Sequence, residues 1–188
     1  PRVLARPATP EVKRSEALSL LARPGDGSIR SRRIALFVED GMDSPAFLRD
    51  ALQAAGATPV FIGHRLGPVK TNDGDAVEPE VTFETTPAVL FDAMVLPGGL
   101  AVADALISSG LALEFVRTQY RHCKAILALS GSSAVLEAAG IPPLLPDGTG
   151  DPGVLVVSSQ DRATVAEAFI RAIARHRHFE RQLDPPAV

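Results

Sequence analysis

Ser130 is the residue whose type and setting point most directly to chemistry. It follows the apolar stretch Lys124-Ala125-Ile126-Leu127-Ala128-Leu129 and opens the small-residue turn Ser130-Gly131-Ser132-Ser133. A serine leaving a buried strand at the start of a helix, with small residues at both glycine positions of G-x-S-x-G, has the form of a nucleophile elbow. In that reading the hydroxyl attacks a carbonyl, and helix N–H groups, with those near Gly98 and Gly99, stabilise the oxyanion. Serine at its free pKa is a weak nucleophile, so a base must sit beside it. His122 precedes the same strand, and six residues at about 3.3 Å each put it roughly 20 Å away at the opposite end. His176 and His178 are two apart on a predicted helix, where such residues do not share a face. Only His64 follows a strand at the correct end. The alternative is that Ser130, Ser132 and Ser133 are small polar residues capping a helix.

Asp43 carries a similar choice. With Glu39 and Asp40 it makes an acidic rim that could raise one carboxyl pKa for acid-base work. Beside Ser44-Pro45 it could instead complement a helix N-terminus. A phosphate at this loop would meet carboxylates, and neither GxGxxG nor GxxxxGK[ST] occurs in the chain, so no nucleotide or flavin site is expected. Cys123, the one cysteine, is read as a small buried hydrophobe.

These residues need strands and helices to place them. Arg33-Ile34-Ala35-Leu36-Phe37-Val38 reads as a strand buried on both faces. Ser44 and Pro45 predict an N-cap and first helical position, Phe47, Leu48, Ala51, Leu52 and Ala55 recur at helical spacing, and Gly56 closes the helix. Thr58 to Gly63 is the next strand, and the resulting β-α-β unit predicts parallel pairing. Asp73-Gly74 between short extended segments from Val69 to Val77 predicts a hairpin. Alternation resumes with a strand over Asp92 to Leu96, the turn Pro97-Gly98-Gly99 and a helix from about Leu100 to Arg121. The strand before Ser130 follows, then a short helix ending at Gly140, a strand over Val154 to Val157 and a helix from Ala163 to about Gln182. The predicted fold is α/β, a three-layer sandwich with a mostly parallel, flavodoxin-like central sheet and a small β-hairpin. Ligands of such sheets bind beyond the carboxyl ends of the strands, where Asp43, His64, Gly99 and Ser130 fall.

The chain has 188 residues, a formal charge of -3 and a single cysteine. That describes one ordinary domain that needs no disulfide staples. One tyrosine, no tryptophan and no long basic run exclude a dedicated nucleic-acid binder. No apolar run approaches the roughly 20 residues of a membrane span, so no membrane partner is expected, and the N-terminus lacks a signal-like apolar stretch. A cytoplasmic location is the expectation. Residues 1–31, rich in proline and charge, read as an extended linker, with the domain over 32–182 and a tail over 183–188. The Leu18 to Leu21 patch within the linker is expected to dock on a neighbouring surface. The first residue is Pro, which suggests a piece of a longer protein.

From Arg33 to Gly140 the order of elements resembles the PfpI-like, class I glutamine amidotransferase-like superfamily. The matching pieces are Asp43 after the first strand, the Leu96-Pro97-Gly98-Gly99 turn, and the strand, elbow and helix that end at Glu137-Ala138-Ala139-Gly140. Active members place a cysteine at the elbow, usually followed by histidine. Here Ser130 and Gly131 stand instead, so peptidase, amidase or deglycase activity does not carry over. A narrower resemblance covers about residues 10 to 182. Ser15-Glu16-Ala17-Leu18-Ser19-Leu20, Pro24-Gly25-Asp26-Gly27-Ser28-Ile29, the basic step into Ile34-Ala35-Leu36, and Lys70-Thr71-Asn72-Asp73-Gly74 look like the C-terminal domain of large-subunit haem catalases.

That resemblance implies a cytosolic tetrameric parent that converts hydrogen peroxide to water and oxygen. It also implies that the haem, its tyrosine ligand and the catalytic residues lie in a preceding core; Tyr120, predicted mid-helix, does not match that ligand site. No cofactor or metal is expected in this chain. Its expected role is a non-catalytic accessory domain whose partners are the catalase core and the other subunits. The alternative is a chaperone-like module that holds partly unfolded client proteins through the Leu18 to Leu21 patch. A third reading is a residual hydrolase, with Ser130, Asp43 and Gly99 as vestigial site candidates.

Overall fold

In the computed structural model, which describes residues 15–19, 22, 25–158 and 161–181, the packed unit begins at Ile29. Ile29 is fully buried, and Ser31 donates its N–H to Gly56 O at 2.9 Å. Ordered packing thus starts three residues before the expected boundary at 32. The backbone then enters β1 (Arg33–Phe37), whose apolar run leaves only Arg33 partly exposed. Helix α1 (Ala46–Ala54) buries Leu48 and Leu52, and β2 (Thr58–Gly63) returns beside β1 in parallel register. Contrary to expectation, Ser44 does not cap α1: Pro45 holds the cap position, no side chain bonds there, and Pro45 O receives the N–H groups of Leu48 and Arg49.

The Asp-Gly signal is realised as the antiparallel pair β3 (Val69–Lys70) and β4 (Ala76–Val77). A two-residue strand, β5 (Val81–Thr82), then adds to β2. It is too short to show periodicity in sequence. Strand β6 (Ala93–Leu96) pairs with the other side of β1, and β7 (Ala125–Ala128) and β8 (Val154–Val156) extend the sheet outward. The strand order is β5-β2-β1-β6-β7-β8, parallel at every pairing. The chain fills one side of β1 and then crosses to the other, which makes β1 and β6 the switch point where such sheets open a crevice.

The predicted helix from Leu100 to Arg121 is two helices, α2 (Leu100–Ile107) and α3 (Gly110–Arg121). Ser109 divides them, leaving the helical region and accepting the N–H of Ala112 on its hydroxyl at 3.2 Å. That is the N-cap preference of serine overriding a continuous apolar pattern. Helix α4 (Ser133–Ala138) follows β7, and α5 (Arg162–Ala174) is capped by Asp161, which accepts the N–H of Thr164. Helix α5 ends well short of the expected Gln182, which lies outside the described residues. His176 takes a positive φ of 67°, turning the chain back into a single 3-10 turn at Phe179–Arg181.

Helices α1 and α5 pack together, as do α2, α3 and α4, giving the three layers. The core between them is aliphatic along the strands and includes a chain of rings, Phe83, Phe37, Phe115 and Phe91, edge-on at the first two contacts and tilted at the last, with centroids 4.6 to 5.6 Å apart. Each fully buried Leu, Ile or Phe of this core contributes roughly 1.5–3 kcal/mol.

Candidate functional site at the carboxyl ends of the strands

The acidic rim is tied down by the hairpin. Gly41 donates its N–H to Lys70 O at 2.7 Å, Lys70 donates its own to Asp40 Oδ1 at 2.8 Å, and Asn72 N–H meets Met42 O at 2.8 Å. These bonds bring Asn72 to Asp43, whose Oδ1 accepts the Asn72 amide at 2.6 Å. The Asp43 N–H donates to Gly98 O, and its carboxylate rests against the Gly98 Cα, where any Cβ would collide with Oδ2. Asp43 therefore does not cap α1; it joins the hairpin to the Pro97-Gly98-Gly99 turn. Glu39 faces His64, Oε2 to Nε2 at 3.2 Å, and the imidazole stands edge-on to Phe83.

Ser130 is exposed at the end of β7, and among the described residues no protein group hydrogen-bonds its hydroxyl. His64 follows β2, and β1 and β6 lie between β2 and β7. Three strand spacings of about 4.8 Å separate the two residues by roughly 14 Å, far beyond proton-transfer reach. Gly99, at φ 120°, donates its N–H to Ser130 O at 3.0 Å, so that donor is engaged within the fold. The left-handed residue of the elbow is Gly131, at φ 89°, rather than the serine. A glycine adopts that conformation without strain. Ser132 is fully buried, and its hydroxyl donates to Pro97 O instead of capping α4. The three serines thus divide into an exposed one, a buried tie between turns and a first helical residue.

Of these residues Ser130 borders a groove of about 300 Å³. Asp43, Asn72 and Ser130 lie along it, and Phe47 and Arg162 form its rim, the guanidinium 5.2 Å from the ring centre. A larger cavity of about 480 Å³ shares Ser44 with the groove and is bordered by Arg49, Asp75, Glu78 and Glu80. The groove has polar groups able to orient a small molecule, and His64 stands too far away to serve its serine as a base. Among the described residues no group of three or more His, Cys, Asp or Glu is placed to hold a metal ion. Asn72 and Arg162 were not singled out in sequence. The Asp-Gly turn was the signal for Asn72, since it fixed a hairpin whose tip had to fall near the strand ends; nothing local marked Arg162.

The opposite end of the sheet holds the predicted structural residues. Cys123 is buried, and burial raises its thiol pKa. Tyr120 is buried on α3 with the Arg181 guanidinium 4.5 Å above its ring. Leu18 of the linker patch is 87% exposed, whereas Leu20 and Leu21 lie outside the described residues.

A family model described as the C-terminal domain found in long catalases matches residues 30–183. The chain belongs to this catalase C-terminal domain family. It is 34% identical to Catalase HPII of Pseudomonas putida over 95% of the chain and 24% of that protein. Catalase HPII of Pseudomonas aeruginosa is 33% identical over 98% of the chain and 25% of its own length. The catalase C-terminal domain thus spans about a quarter of the relatives it matches. Among solved structures it resembles DJ-1beta of Drosophila melanogaster, with TM-score 0.63 and 22% identity, over 79% of this chain and 91% of that one. A THiJ/PfpI family protein of Pseudomonas syringae gives TM-score 0.62 and 21% identity over 85% and 78%. At these identities the likeness concerns the fold of the catalase C-terminal domain alone.

Proposed function

We propose that this chain is a non-catalytic accessory domain of a cytoplasmic tetrameric haem catalase, packing on the catalytic core and stabilising the assembly. The supporting observation is the coverage: nearly the whole chain aligns with about a quarter of each catalase relative, leaving three quarters for peroxide chemistry elsewhere. The groove agrees with this reading, since His64 lies out of reach of its serine and the Gly99 N–H is engaged by Ser130 O. Haem and its ligands belong to the preceding core in this proposal. An appendage that binds only the folded, assembled state stabilises that state by mass action. Its removal from the full-length catalase should therefore move subunit dissociation, followed by sedimentation in urea, to lower denaturant. Dissociation at unchanged urea would overturn the proposal.

A second reading, a chaperone-like module for partly unfolded proteins, draws on the exposed Leu18. It predicts that replacing Leu18, Leu20 and Leu21 by Ser weakens suppression of a heat-labile client's aggregation, read by scattered light. Equal suppression by both proteins would remove it.

A further inference from the structure

At the amino ends of the strands, cations from four parts of the chain gather around one carboxylate. Arg32 precedes β1 and Arg33 opens it, Asp92 leads into β6, Arg121 and His122 end α3, Lys124 leads into β7, and His176 and Arg177 sit on the segment after α5. Asp92 is already engaged on both oxygens, by Arg32 Nη1 at 3.3 Å and by the Arg33 N–H at 2.9 Å. His176 Nδ1 contacts the same Arg32 guanidinium, which seats the segment after α5 on the ion pair. Nearby carboxylates are matched elsewhere: Glu180 with Arg175, Asp151 with Arg181.

Lys124 is 3% exposed and directs its ammonium at the carbonyls of Ala88, Val89 and Phe91. Its three N–H groups are satisfied, and its charge has no carboxylate in contact among the described residues. Arg177 is half-buried; it donates Nη1 to His176 O at 3.0 Å and, among the described residues, has no carboxylate within ion-pair distance. Among the described residues, its other N–H donors have no acceptor within hydrogen-bond distance. Burial and the neighbouring cations push His122, Lys124 and His176 below their ordinary pKa values. Burial likewise lowers Arg177, with Arg32 adding to it against Asp92. Among the described residues, the cluster carries more positive charge than Asp92 balances.

We propose that Arg177 and Arg32, backed by the buried ammonium of Lys124, form an oxyanion site at the amino edge of the sheet that takes a carboxylate or phosphate group. A planar guanidinium with free N–H groups offers bidentate bonds to either. Lys124 supplies fixed charge from behind rather than a hydrogen bond. Two sources fit this chemistry: a free small anion, or a carboxylate side chain of the polypeptide that arrives at this edge through residue 32. The second source rests on the accessory-domain reading; the site itself does not.

The test is a ¹H–¹⁵N titration of this chain with inorganic phosphate at constant ionic strength and pH 7. The expected result is saturable shifts at residues 32, 92, 124 and 175–178, with affinity falling at least about tenfold in Arg177→Gln and partly retained in Arg177→Lys. Arg171→Gln on exposed α5 makes the same charge change away from the cluster and should leave affinity unchanged. No saturable shift, or equal weakening by Arg171→Gln and Arg177→Gln, would overturn the site. With the site confirmed, thermal unfolding of the full-length catalase separates the sources. A larger loss from Arg177→Gln there than in this chain alone means a carboxylate of the preceding polypeptide; an equal loss, with protection by phosphate, means a free anion.

Discussion

Arg181 shows how a charged side chain becomes part of a core. Its guanidinium is 1% exposed, pairs with Asp151 through Nε at 2.7 Å and Nη2 at 2.8 Å, donates Nη1 to Lys124 O, and covers the Tyr120 ring. Gly153 lies directly against it, and any Cβ there would strike the guanidinium and the His178 ring. Arg181→Ala would leave the Asp151 carboxylate buried and unpaired, so a loss of about 3–5 kcal/mol is expected in a urea unfolding midpoint. A loss below about 1 kcal/mol would mean that the pair is effectively hydrated. None of this was legible in sequence. Arg181 and Asp151 are thirty residues apart, and a lone arginine near a terminus carries no local sign of burial. Asp43 was legible as a position but not as a contact, because its partner Asn72 comes from a hairpin whose packing is tertiary. Ser132→Ala removes a buried hydroxyl from Pro97 O and should lower stability by about 1–3 kcal/mol in the same assay.

Among the elements, the long ones were legible and the short ones were not. Strands β1, β2, β6 and β7 announce themselves as continuous apolar runs, because a parallel strand between two helical layers is buried on both faces. Strand β5 has two residues and no pattern to read. The division between α2 and α3 was written in Ser108-Ser109-Gly110, yet the apolar period continues across it and hides the cap. Ser109→Ala should therefore cost about 1 kcal/mol in thermal or urea unfolding, the usual value of a serine N-cap. An unchanged midpoint would show that tertiary packing alone sets this boundary. The end of α5 was overestimated because no glycine follows it: His176 adopts the left-handed turn that glycine usually marks.

For the whole molecule, the two edges of the sheet differ in charge: carboxylates gather where the strands end and cations where they begin. The cation-rich edge shapes the pH profile. Burial is the first cause holding His122, His176 and His178 below 6.5, and nearby cations add to it. Near that pH the unfolded chain takes up protons that the folded chain refuses, so stability present above pH 6.5 is lost as pH falls below it. On the alkaline side Lys124 is held at about 8 by burial and Arg177. Between about 8 and 10.5 the unfolded chain keeps a proton on Lys124 that the folded chain has released, so this group favours folding as pH rises; above 9 the buried Cys123 thiol, raised by burial, opposes it. Melting temperatures against pH should show both slopes, with Lys124→Met removing the second.

The proposal that joins these scales is that the domain supports a catalase rather than performing a reaction; resemblance made the catalase C-terminal domain family legible where groove chemistry alone did not. The most direct measurement compares the full-length catalase with one lacking this domain, reading initial peroxide turnover per haem and residual activity after heating. The account predicts near-equal initial turnover and markedly faster thermal inactivation of the shortened protein. Lost turnover with unchanged heat resistance would contradict it.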